Sequence, residues 1–458
     1  MGVTVNQSMV ALAPMRALVH QGHSRSLAWR QGQLQRLGAL LKQVEQPLLE
    51  ALATDLGKPA VEAFFEIAGV SQELALCRRQ LRRWLAPRPV PVPLVQQPGR
   101  AWVQPEPLGC VLILGPWNYP FLLTLQPLVA ALAAGNTAVL KPSEHTPHVA
   151  AVIATAVAQH FEPEVVAVEQ GGVAVAEALL EQPFDHIFFT GGTSTGKRVM
   201  AAAARQLIPV TLELGGKSPC IVLDDADLET SANRIAWGRF LNAGQTCVAP
   251  DYVLVTPGLR QPLERALGAA IDRFFGPDPR QSPDFGRLVS PQQFDRLDRL
   301  LAGVEILKGG ERHRDSRYLA PTLVRGEPDQ PLMQEEIFGP VLPLLEVAHL
   351  GAALDFIRGR PAPLAIYLFS RSEAARAQVL RSSQSGGVCF NDVVMQAGLP
   401  GLPFGGVGAS GLGRYHGQSG FDGLSNLRAV VQRPFALDLP WRYAPYGDRL
   451  KMLRRLLG

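Results

Sequence analysis

The spacing of apolar residues changes twice along the chain and divides it into three regions. From Gln33 to Leu85, apolar residues recur three and four positions apart with charged residues between them, which predicts helices. From Leu85 to Pro107, closely spaced prolines stand among valines, which excludes a helix or a central strand and predicts an edge ribbon or an extended arm. From Val111 onward, short β-type runs alternate with helical patterns. This alternation predicts a parallel α/β sheet.

The alternating region predicts individual strands and helices. The predicted strands are Val111–Leu114, Ala138–Leu140, Val165–Val168, His186–Phe189 and Cys220–Leu223, and the predicted helices are Val149–His160, Ala174–Leu180 and Leu228–Leu241. After Leu214-Gly215-Gly216 the pattern begins afresh. We therefore expect a domain boundary at this point.

An uncharged stretch from Pro107 to Leu140 is long enough to span a bilayer. Gly115-Pro116, Pro120 and Gln126-Pro127 interrupt it, however, because glycine and proline break regular structure. The stretch is therefore predicted to be a buried strand, a loop and an alanine-rich helix that ends near Gly135.

Composition describes a globular chain of more than one domain. A length of 458 residues exceeds what one hydrophobic core usually serves, and 47% of the residues are apolar. A net charge of +4 is too dilute to indicate a nucleic-acid partner. The five cysteines are scattered and no secretion signal is evident, which suits reduced thiols in the cytoplasm. Neither the cysteines nor the nine histidines have metal-ligand spacing, so no metal site is predicted.

The stretch GGTSTGKR, residues 191–198, is one residue away from the phosphate-binding loop of nucleotide hydrolases. That loop needs a hydroxyl after its lysine to hold magnesium, and this chain has Arg198 there. What remains is a glycine-rich turn between an apolar run and a helical run, which can aim backbone N–H groups at a phosphate. Lys197 is then expected to be a solvated helix residue, and an ATPase is the least favoured of the functions considered.

Six further stretches resemble the aldehyde dehydrogenase superfamily in order and spacing. They are PWNYP at 116–120, KPSE at 141–144, FTGG at 189–192, LELGGKSP at 212–219, GQTCVAP at 244–250 and EEIFGP at 335–340. The VAPDY that follows Cys247 and the FGGVGASGLGRYHG of 404–417 look most like the class 3 branch, which handles fatty and aromatic aldehydes. The resemblance covers nearly the whole chain.

The resemblance implies an α/β fold of three parts: a variant Rossmann cofactor domain, an α/β catalytic domain and a small β bridging arm. The implied ranges are 1–86 and 106–213 for NAD(P) binding, 214–395 for the catalytic domain, 87–105 and 420–435 for the bridging element, and 436–458 for a C-terminal tail. The bridging element of the family pairs with a second subunit, so a homodimer is expected.

Three residues carry the implied chemistry, in which an aldehyde is oxidised to a carboxylic acid through a thiohemiacetal and a thioester. Cys247 is the candidate nucleophile because small and polar residues surround it, whereas a typical lone cysteine is a core residue. By resemblance, the Asn118 amide and the Cys247 N–H stabilise the oxyanion, at about 3 kcal/mol per donor. Glu213 lies in an apolar setting that favours a raised pKa and a role as the base for deacylation. A turn-forming Asn118 and a structural ion pair of Glu213 are the alternatives.

The resemblance also implies a nicotinamide cofactor, NAD or NADP, whose pyrophosphate lies near Gly191 and Gly192. The implied contacts are Trp117, Lys141, Glu144, Thr190, Gly191, Gly192, Leu214, Glu336 and Phe338. Glu144, at the adenosine ribose, favours NAD because a carboxylate repels a 2′-phosphate. Lys141 beside it opposes that preference, so the choice of cofactor stays open.

Two other functions use the same motifs. An acylating relative would pass the thioester to coenzyme A, although such enzymes tend to lack a base such as Glu213. A non-catalytic binding or structural protein is disfavoured by the intact catalytic residues.

The tail 449–457 predicts an amphipathic helix with leucines on one side and basic residues on the other. It either docks on its own subunit or makes a weak peripheral contact with an anionic membrane near the substrate entrance.

Overall fold

The fold was analysed in a computed structural model that describes residues 10–436, 438 and 442–457. The predicted segment 1–86 and the predicted tail 436–458 therefore extend beyond the described residues. The helices within these ranges are α1 Leu12–His20, α2 Leu27–Gln43, α3 Glu45–Leu56, α4 Ala60–Leu85, α5 Leu122–Ala134, α6 Pro147–His160, α7 Val173–Leu180, α8 Thr193–Ala204, α9 Leu228–Phe240, α10 Pro257–Phe275, α11 Pro291–Leu300, α12 Leu350–Arg358, α13 Glu373–Ser382, α14 Gly417–Gly423 and α15 Arg449–Leu457.

The strands of the described residues form two large sheets and two small ones. The first large sheet contains β3 Cys110–Leu114, β4 Thr137–Lys141, β5 Val166–Val168, β6 His186–Gly191, β7 Val210–Leu214 and β17 Gly411–Leu412. The second contains β8 Pro219–Val222, β9 Tyr252–Val255, β10 Ile306–Lys308, β13 Thr322–Arg325, β14 Val341–Glu346, β15 Ala365–Phe369 and β16 Gly387–Phe390. The small sheets are β1 Arg88–Val90 with β2 Arg100–Pro107 and β18 Ser425–Gln432, and the hairpin of β11 Arg312–His313 with β12 Tyr318–Leu319.

The first sheet is parallel except for β17, and its order is β17-β7-β6-β3-β4-β5. The chain runs outward from β3 to β5 and then returns to place β6 and β7 on the other side of β3. Strand order therefore reverses between β3 and β6. In open α/β sheets, ligands bind at the carboxyl ends of the strands at such a point.

Helices cover both faces of the first sheet, which explains why its strands are continuously apolar. Val111, Ile113 and Phe188 pack with helices α2 to α6, whereas Leu112 and Ile187 pack with α1, α7 and α8. The alternation follows from the two-residue period of a strand. The predicted strands and helices of this region are confirmed, with ends that differ by up to a few residues.

The proline-rich arm pairs with a strand more than 300 residues away in the sequence. β2 and β18 pair antiparallel from Ser425 opposite Pro107 to Gln432 opposite Arg100. The two predicted segments of the bridging element thus lie in one sheet. The domain boundaries themselves stay a prediction.

None of the helices in the described part of the chain has the length and apolar character needed to cross a membrane. The uncharged stretch from Pro107 to Leu140 consists of β3, a loop, α5 and most of β4, and Gly135 ends α5 with a φ of 90°.

Candidate active site

A cavity of about 510 Å³ lies at the carboxyl edge of the first sheet, between the ends of β3, β6 and β7 and the second sheet. Most of the predicted site residues line it: Trp117, Asn118, Thr190, Gly191, Gly192, Glu213, Leu214, Cys247, Glu336 and Phe338. The fold thus brings together motifs that are up to 299 positions apart, from Pro116 to Tyr415.

The loop that carries Cys247 reverses sharply after α9. Asn242, Ala243 and Gly244 all have positive φ, of 53°, 52° and 73°. A side chain at Gly244 would place its Cβ 2.2 Å from the carbonyl oxygen of Gly339, so only glycine fits there. This close approach holds the nucleophile loop, as we call residues 241–247 around the candidate nucleophile Cys247, against the 335–340 segment.

Cys247 is a half-buried residue that lines the cavity, whereas Cys77, Cys110 and Cys220 are buried. Burial, followed by the charges of Glu336 and Glu213, raises the pKa of Cys247 to about 12. The thiol is therefore protonated at neutral pH in the free protein. Cys389 is also only half-buried, so it departs from the expectation that a lone cysteine is a core residue.

Glu213 lies on β7 and is buried, yet neither of its carboxylate oxygens has a hydrogen-bond partner among the described residues. Burial raises the pKa of Glu213 well above its usual range, and the nearby charge of Arg414 opposes this shift. A buried carboxylate without partners is costly to retain unless the site uses it. Neither oxygen is bonded to another described group, and the residue lines the cavity.

Asn118 is buried and hydrogen-bonded on both its side chain and its backbone. Its Nδ2 donates to the carbonyl oxygen of Gln245 at 3.0 Å, which fixes the amide orientation and leaves the second N–H of the amide. The backbone carbonyl oxygen of Asn118 accepts hydrogen bonds from Lys58 Nζ at 3.0 Å and from Asn242 Nδ2 at 2.7 Å. The neighbouring Tyr119 hydroxyl lies 2.8 Å from Thr246 Oγ1. These contacts hold the Asn118 turn against the Cys247 loop.

The GGTSTGKR motif, which resembles a phosphate-binding loop, lies where β6 ends and α8 begins. Gly192 is the N-cap of α8, and its missing side chain leaves open space. Thr190 Oγ1 is buried without a hydrogen-bond partner in the described structure and lines the same cavity. Free backbone N–H groups at a helix start, together with an unpartnered hydroxyl, fit an anionic pyrophosphate. Lys197 is exposed, as predicted.

Trp117, Glu336 and Phe338 close another side of the cavity. The rings of Trp117 and Phe338 meet edge to face, with centroids 5.2 Å apart. Burial and the charge of Asp251 raise the pKa of Glu336 to about 8, although a hydrogen bond with the Gly216 backbone opposes this. Apolar rings beside a carboxylate fit a nicotinamide ring and its ribose.

Lys141 and Glu144 lie outside the cavity wall, one strand away from it at the end of β4. Lys141 Nζ bonds Glu144 Oε2 at 3.1 Å. Burial opposes ionisation of Glu144, but hydrogen bonds from its own backbone and from Lys141 hold its pKa below the usual range. Their predicted contact with the adenosine ribose stays a prediction.

Sequence reasoning missed the ion pairs behind the 335–340 segment, although two of the residues lie inside quoted motifs. Lys217 Nζ bonds Asp251 Oδ2 at 2.6 Å and the carbonyl oxygens of Leu332 and Glu335. Arg239, buried in α9, bonds Asp251 and the carbonyl oxygen of Gly339. These contacts link positions far apart in sequence, so spacing gave no signal for them.

Other cavity-wall residues also went unnoticed, among them Arg296, Phe404 and Tyr415. Phe404 and Tyr415 lie within the FGGVGASGLGRYHG motif, which was the available signal. Among the described residues, no group of three or more His, Cys, Asp or Glu side chains is placed to hold a metal ion.

A doubly covered parallel sheet, with a helix N-terminus, a thiol and a buried carboxylate at one cavity, is the arrangement of a dinucleotide-dependent α/β enzyme. The sequence profile of the aldehyde dehydrogenase family matches residues 5–430. The chain belongs to the aldehyde dehydrogenase family.

Proteins similar to this chain include members of aldehyde dehydrogenase family 3, which agrees with the resemblance of its motifs to the class 3 branch. Aldehyde dehydrogenase family 3 member B1 of Homo sapiens is 48% identical over 447 residues, covering 96% of each chain. The Rattus norvegicus protein called aldehyde dehydrogenase, dimeric NADP-preferring, is 44% identical over 418 residues, 91% of this chain and 92% of its own. The substrate-bound structure of Staphylococcus aureus AldH matches with a TM-score of 0.94 and 41% identity, over 97% of this chain and 98% of that one.

These findings confirm the predicted fold class and enzyme class. The protein is an oxidoreductase that oxidises aldehydes to carboxylic acids with NAD or NADP. The acylating alternative, in which the thioester passes to coenzyme A, has no support among these relatives.

Proposed function

We propose that this enzyme oxidises medium-chain, long-chain or aromatic aldehydes, with Cys247 as nucleophile, Asn118 as oxyanion donor and Glu213 as base. One observation carries the proposal. These three side chains line the same cavity, and both buried oxygens of Glu213 are unpartnered among the described residues. The apolar and aromatic wall formed by Leu123, Phe404 and neighbouring residues suits an aldehyde with a sizeable apolar group.

The reaction begins when Cys247, after losing its proton to solvent, adds its sulfur to the aldehyde carbon. The new oxyanion accepts hydrogen bonds from the free N–H of the Asn118 amide and from the Cys247 backbone N–H. A nicotinamide cofactor bound against Glu336 and Phe338 would supply the hydride acceptor that this adduct needs to become a thioester on Cys247. Glu213 then takes a proton from a water molecule, which attacks the thioester. The carboxylic acid leaves and the thiol is restored.

The cofactor contacts are assigned from the walls of the cavity. Gly191, Gly192 and Thr190 would hold the pyrophosphate, Glu336 and Phe338 the nicotinamide ribose and ring, and Trp117 and Leu214 the adjoining walls. Lys141 and Glu144 would lie at the adenosine ribose. The Glu144 carboxylate stays ionised and favours NAD, because it repels a 2′-phosphate.

A homodimer completes the proposal. The β1-β2-β18 sheet leaves β18 as an edge strand, and Leu94, Val431 and Phe435 are exposed around it. Exposed apolar edges favour pairing with another chain. The rat relative is called dimeric in its own name. The residues of this arm would therefore contact a second subunit, in the cytoplasm where the thiols stay reduced.

The C-terminal helix would touch an anionic membrane weakly. α15 exposes Lys451, Arg454 and Arg455, and its described apolar residues Leu450 and Met452 are exposed too. A basic, amphipathic helix of this kind binds anionic lipid surfaces reversibly.

The experiment follows the reduced cofactor and the acid while decanal, shorter aldehydes and benzaldehyde are supplied with NAD or NADP, with and without coenzyme A. Turnover independent of coenzyme A, with higher kcat/KM for the larger aldehydes, is expected. Cys247→Ala should abolish turnover but retain cofactor binding, whereas Cys389→Ala, which removes the other partly exposed thiol, should change neither. Substantial turnover by Cys247→Ala would refute the assigned nucleophile.

A further inference from the structure

Helix α4 carries three carboxylates that point at active-site segments. Glu62, Glu66 and Glu73 are spaced by four and seven positions, so they lie along one face of the helix. Glu66 and Glu73 are buried, and Glu62 is half-buried. A row of buried acids on a helix is costly, because each must find hydrogen-bond donors.

Each carboxylate finds its donors in a different active-site segment. Glu62 Oε2 accepts from the backbone N–H of Asn242 at 2.8 Å, on the nucleophile loop. Glu66 Oε2 accepts from the N–H groups of Phe121 and Leu122, at 3.0 and 3.1 Å, just after Asn118. Glu73 Oε1 accepts from Gly417 N at 2.7 Å, two residues beyond the cavity-wall residue Tyr415. One face of α4 thus contacts three segments that meet at the cavity.

The middle member of this row is half of a fully buried ion pair. Lys58 Nζ lies 2.5 Å from Glu66 Oε1, and both side chains are 0% exposed. The same Nζ donates to the carbonyl oxygen of Asn118 at 3.0 Å and lies 4.2 Å from the centre of the Tyr119 ring. All three N–H directions of the ammonium group therefore face a partner, and both Glu66 oxygens are occupied.

The pair contacts the Asn118 turn from both ends. Lys58 holds the carbonyl of Asn118 itself, and Glu66 holds the two N–H groups that begin α5 beyond it. The side-chain amide is fixed separately by Gln245, next but one to Cys247. The position of the amide relative to Cys247 is therefore set by these two supports, one from α4 and one from the nucleophile loop.

We infer that Lys58 and Glu66 are positioning residues for the reaction: they hold the Asn118 peptide so that its side-chain amide meets the oxyanion on the Cys247 adduct. This inference rests on the oxyanion role proposed above for Asn118. Neither Lys58 nor Glu66 lines the cavity, so each acts through the turn it holds.

Geometry of this kind has a measurable effect, since a misplacement of about 1 Å at a reacting group lowers a rate by about 100-fold. Glu66→Gln keeps the shape of the side chain but removes the charge that pairs with Lys58. It is expected to lower kcat/KM for decanal by about tenfold or more, with the cofactor Kd unchanged within about twofold.

A double-mutant cycle with Asn118→Ala separates positioning from general damage to the fold. If Glu66 acts through Asn118, Glu66→Gln should lower kcat/KM only slightly further when Asn118 has already been replaced by alanine. Leu34→Ala is the matched control: it opens a cavity beneath α2, which packs on α4, and lowers Tm, but Leu34 takes part in none of the hydrogen bonds that hold the turn. It should keep normal kcat/KM well below its Tm.

Should Glu66→Gln fail to fold, the Lys58→Met/Glu66→Leu variant replaces the pair by apolar side chains of similar length and enters the same cycle. The inference is overturned if Glu66→Gln lowers kcat/KM by the same factor in the Asn118→Ala background as in the intact enzyme. It is also overturned if Leu34→Ala lowers kcat/KM as much as Glu66→Gln does. Normal kcat/KM for Asn118→Ala alone would instead refute the role of Asn118, and the inference with it.

Discussion

At the residue scale, the environment of Cys247 determines how its reactivity depends on pH. Burial and the neighbouring Glu336 and Glu213 raise its pKa to about 12, so the thiolate is scarce at neutral pH in the free enzyme. Below the pKa, the thiolate fraction rises about tenfold per pH unit. We expect iodoacetamide to alkylate Cys247 about tenfold faster per unit between about pH 8 and about pH 10, as measured by peptide mass spectrometry.

The half-buried Cys389 provides an internal comparison within the same samples, because burial also raises its pKa but by less. Its alkylation should level off at a lower pH than that of Cys247. A Cys247 rate that is already flat from about pH 7 would contradict a raised thiol pKa.

Glu213, whose carboxylate oxygens have no hydrogen-bond partner among the described residues, is proposed to have a different task, that of the base for deacylation. Replacing it with glutamine keeps the size of the side chain but removes the base, so hydrolysis of the thioester should slow by about 100-fold or more. Formation of the thioester does not need that base. A rapid burst of reduced cofactor should therefore remain in stopped-flow experiments while steady turnover falls.

The matched control is Glu106→Gln, at a carboxylate that pairs with Arg25 and Arg428 away from the cavity. It should leave both phases unchanged. Equal losses of burst and steady rate in Glu213→Gln would mean that Glu213 does not act as the base for deacylation.

Sequence alone predicted Cys247, Glu213 and Asn118 as site residues, and they line one cavity. It could do so because each lies inside a short motif whose residues are adjacent in the chain. It could not identify Lys58 and Glu66. They contact residues more than 50 positions away, and a lysine and a glutamate eight positions apart resemble ordinary surface charges. Only the fold shows that both are buried.

At the element scale, the N-terminus of α8 explains the GGTSTGKR motif. The chain has glycine at the N-cap, and the Cβ of a side chain there would have no atom within 4 Å. The φ of Gly192 is −72°, which any residue adopts. Gly192→Ser should therefore be tolerated and should bind the cofactor pyrophosphate a few-fold more tightly through its hydroxyl, as measured by fluorescence titration.

Lys197→Met is the comparison for this prediction, since the exposed Lys197 should contribute nothing to cofactor affinity beyond weak long-range attraction. Cofactor affinity that Gly192→Ser leaves unchanged would contradict the assigned position of the pyrophosphate, and a large loss of affinity in Lys197→Met would show that Lys197 contacts a phosphate.

Apolar periodicity predicted β3, β4 and β6 well, because parallel strands buried on both faces are continuously apolar. It missed β17, in which Gly411 pairs with Glu213 and Leu412 pairs with Leu212. Two residues carry no period, and their strand exists only because β7 is already in place beside them. Short elements made by tertiary contacts are the ones that sequence patterns do not reveal.

At the scale of the whole molecule, partners are proposed for two exposed surfaces, the apolar arm and the basic C-terminal helix. The arm is an edge of β-structure, which suits a second subunit. The helix is short and amphipathic, which suits a reversible surface contact. The two proposals are independent, because one depends on strand pairing and the other on charge.

Deleting residues 449–458 tests the proposed membrane contact. The exposed Lys451, Arg454 and Arg455 should attract anionic lipid, and the attraction should weaken as salt rises. The truncated enzyme is expected to sediment less with phosphatidylserine vesicles at low salt, with little change on neutral vesicles. It should also show a higher KM for long aldehydes but an unchanged KM for short ones, if the helix borders the entrance.

The charge-reversed variant Arg454→Glu/Arg455→Glu separates the two effects, because it keeps the length of the tail. It should lose vesicle binding as completely as the deletion, since like charges repel the lipid surface. Its chain-length profile in detergent-free buffer should stay that of the intact enzyme, because the apolar side of the helix is unaltered. If the intact, truncated and reversed proteins sediment equally with anionic vesicles, the tail does not touch the membrane and serves only the packing of the protein.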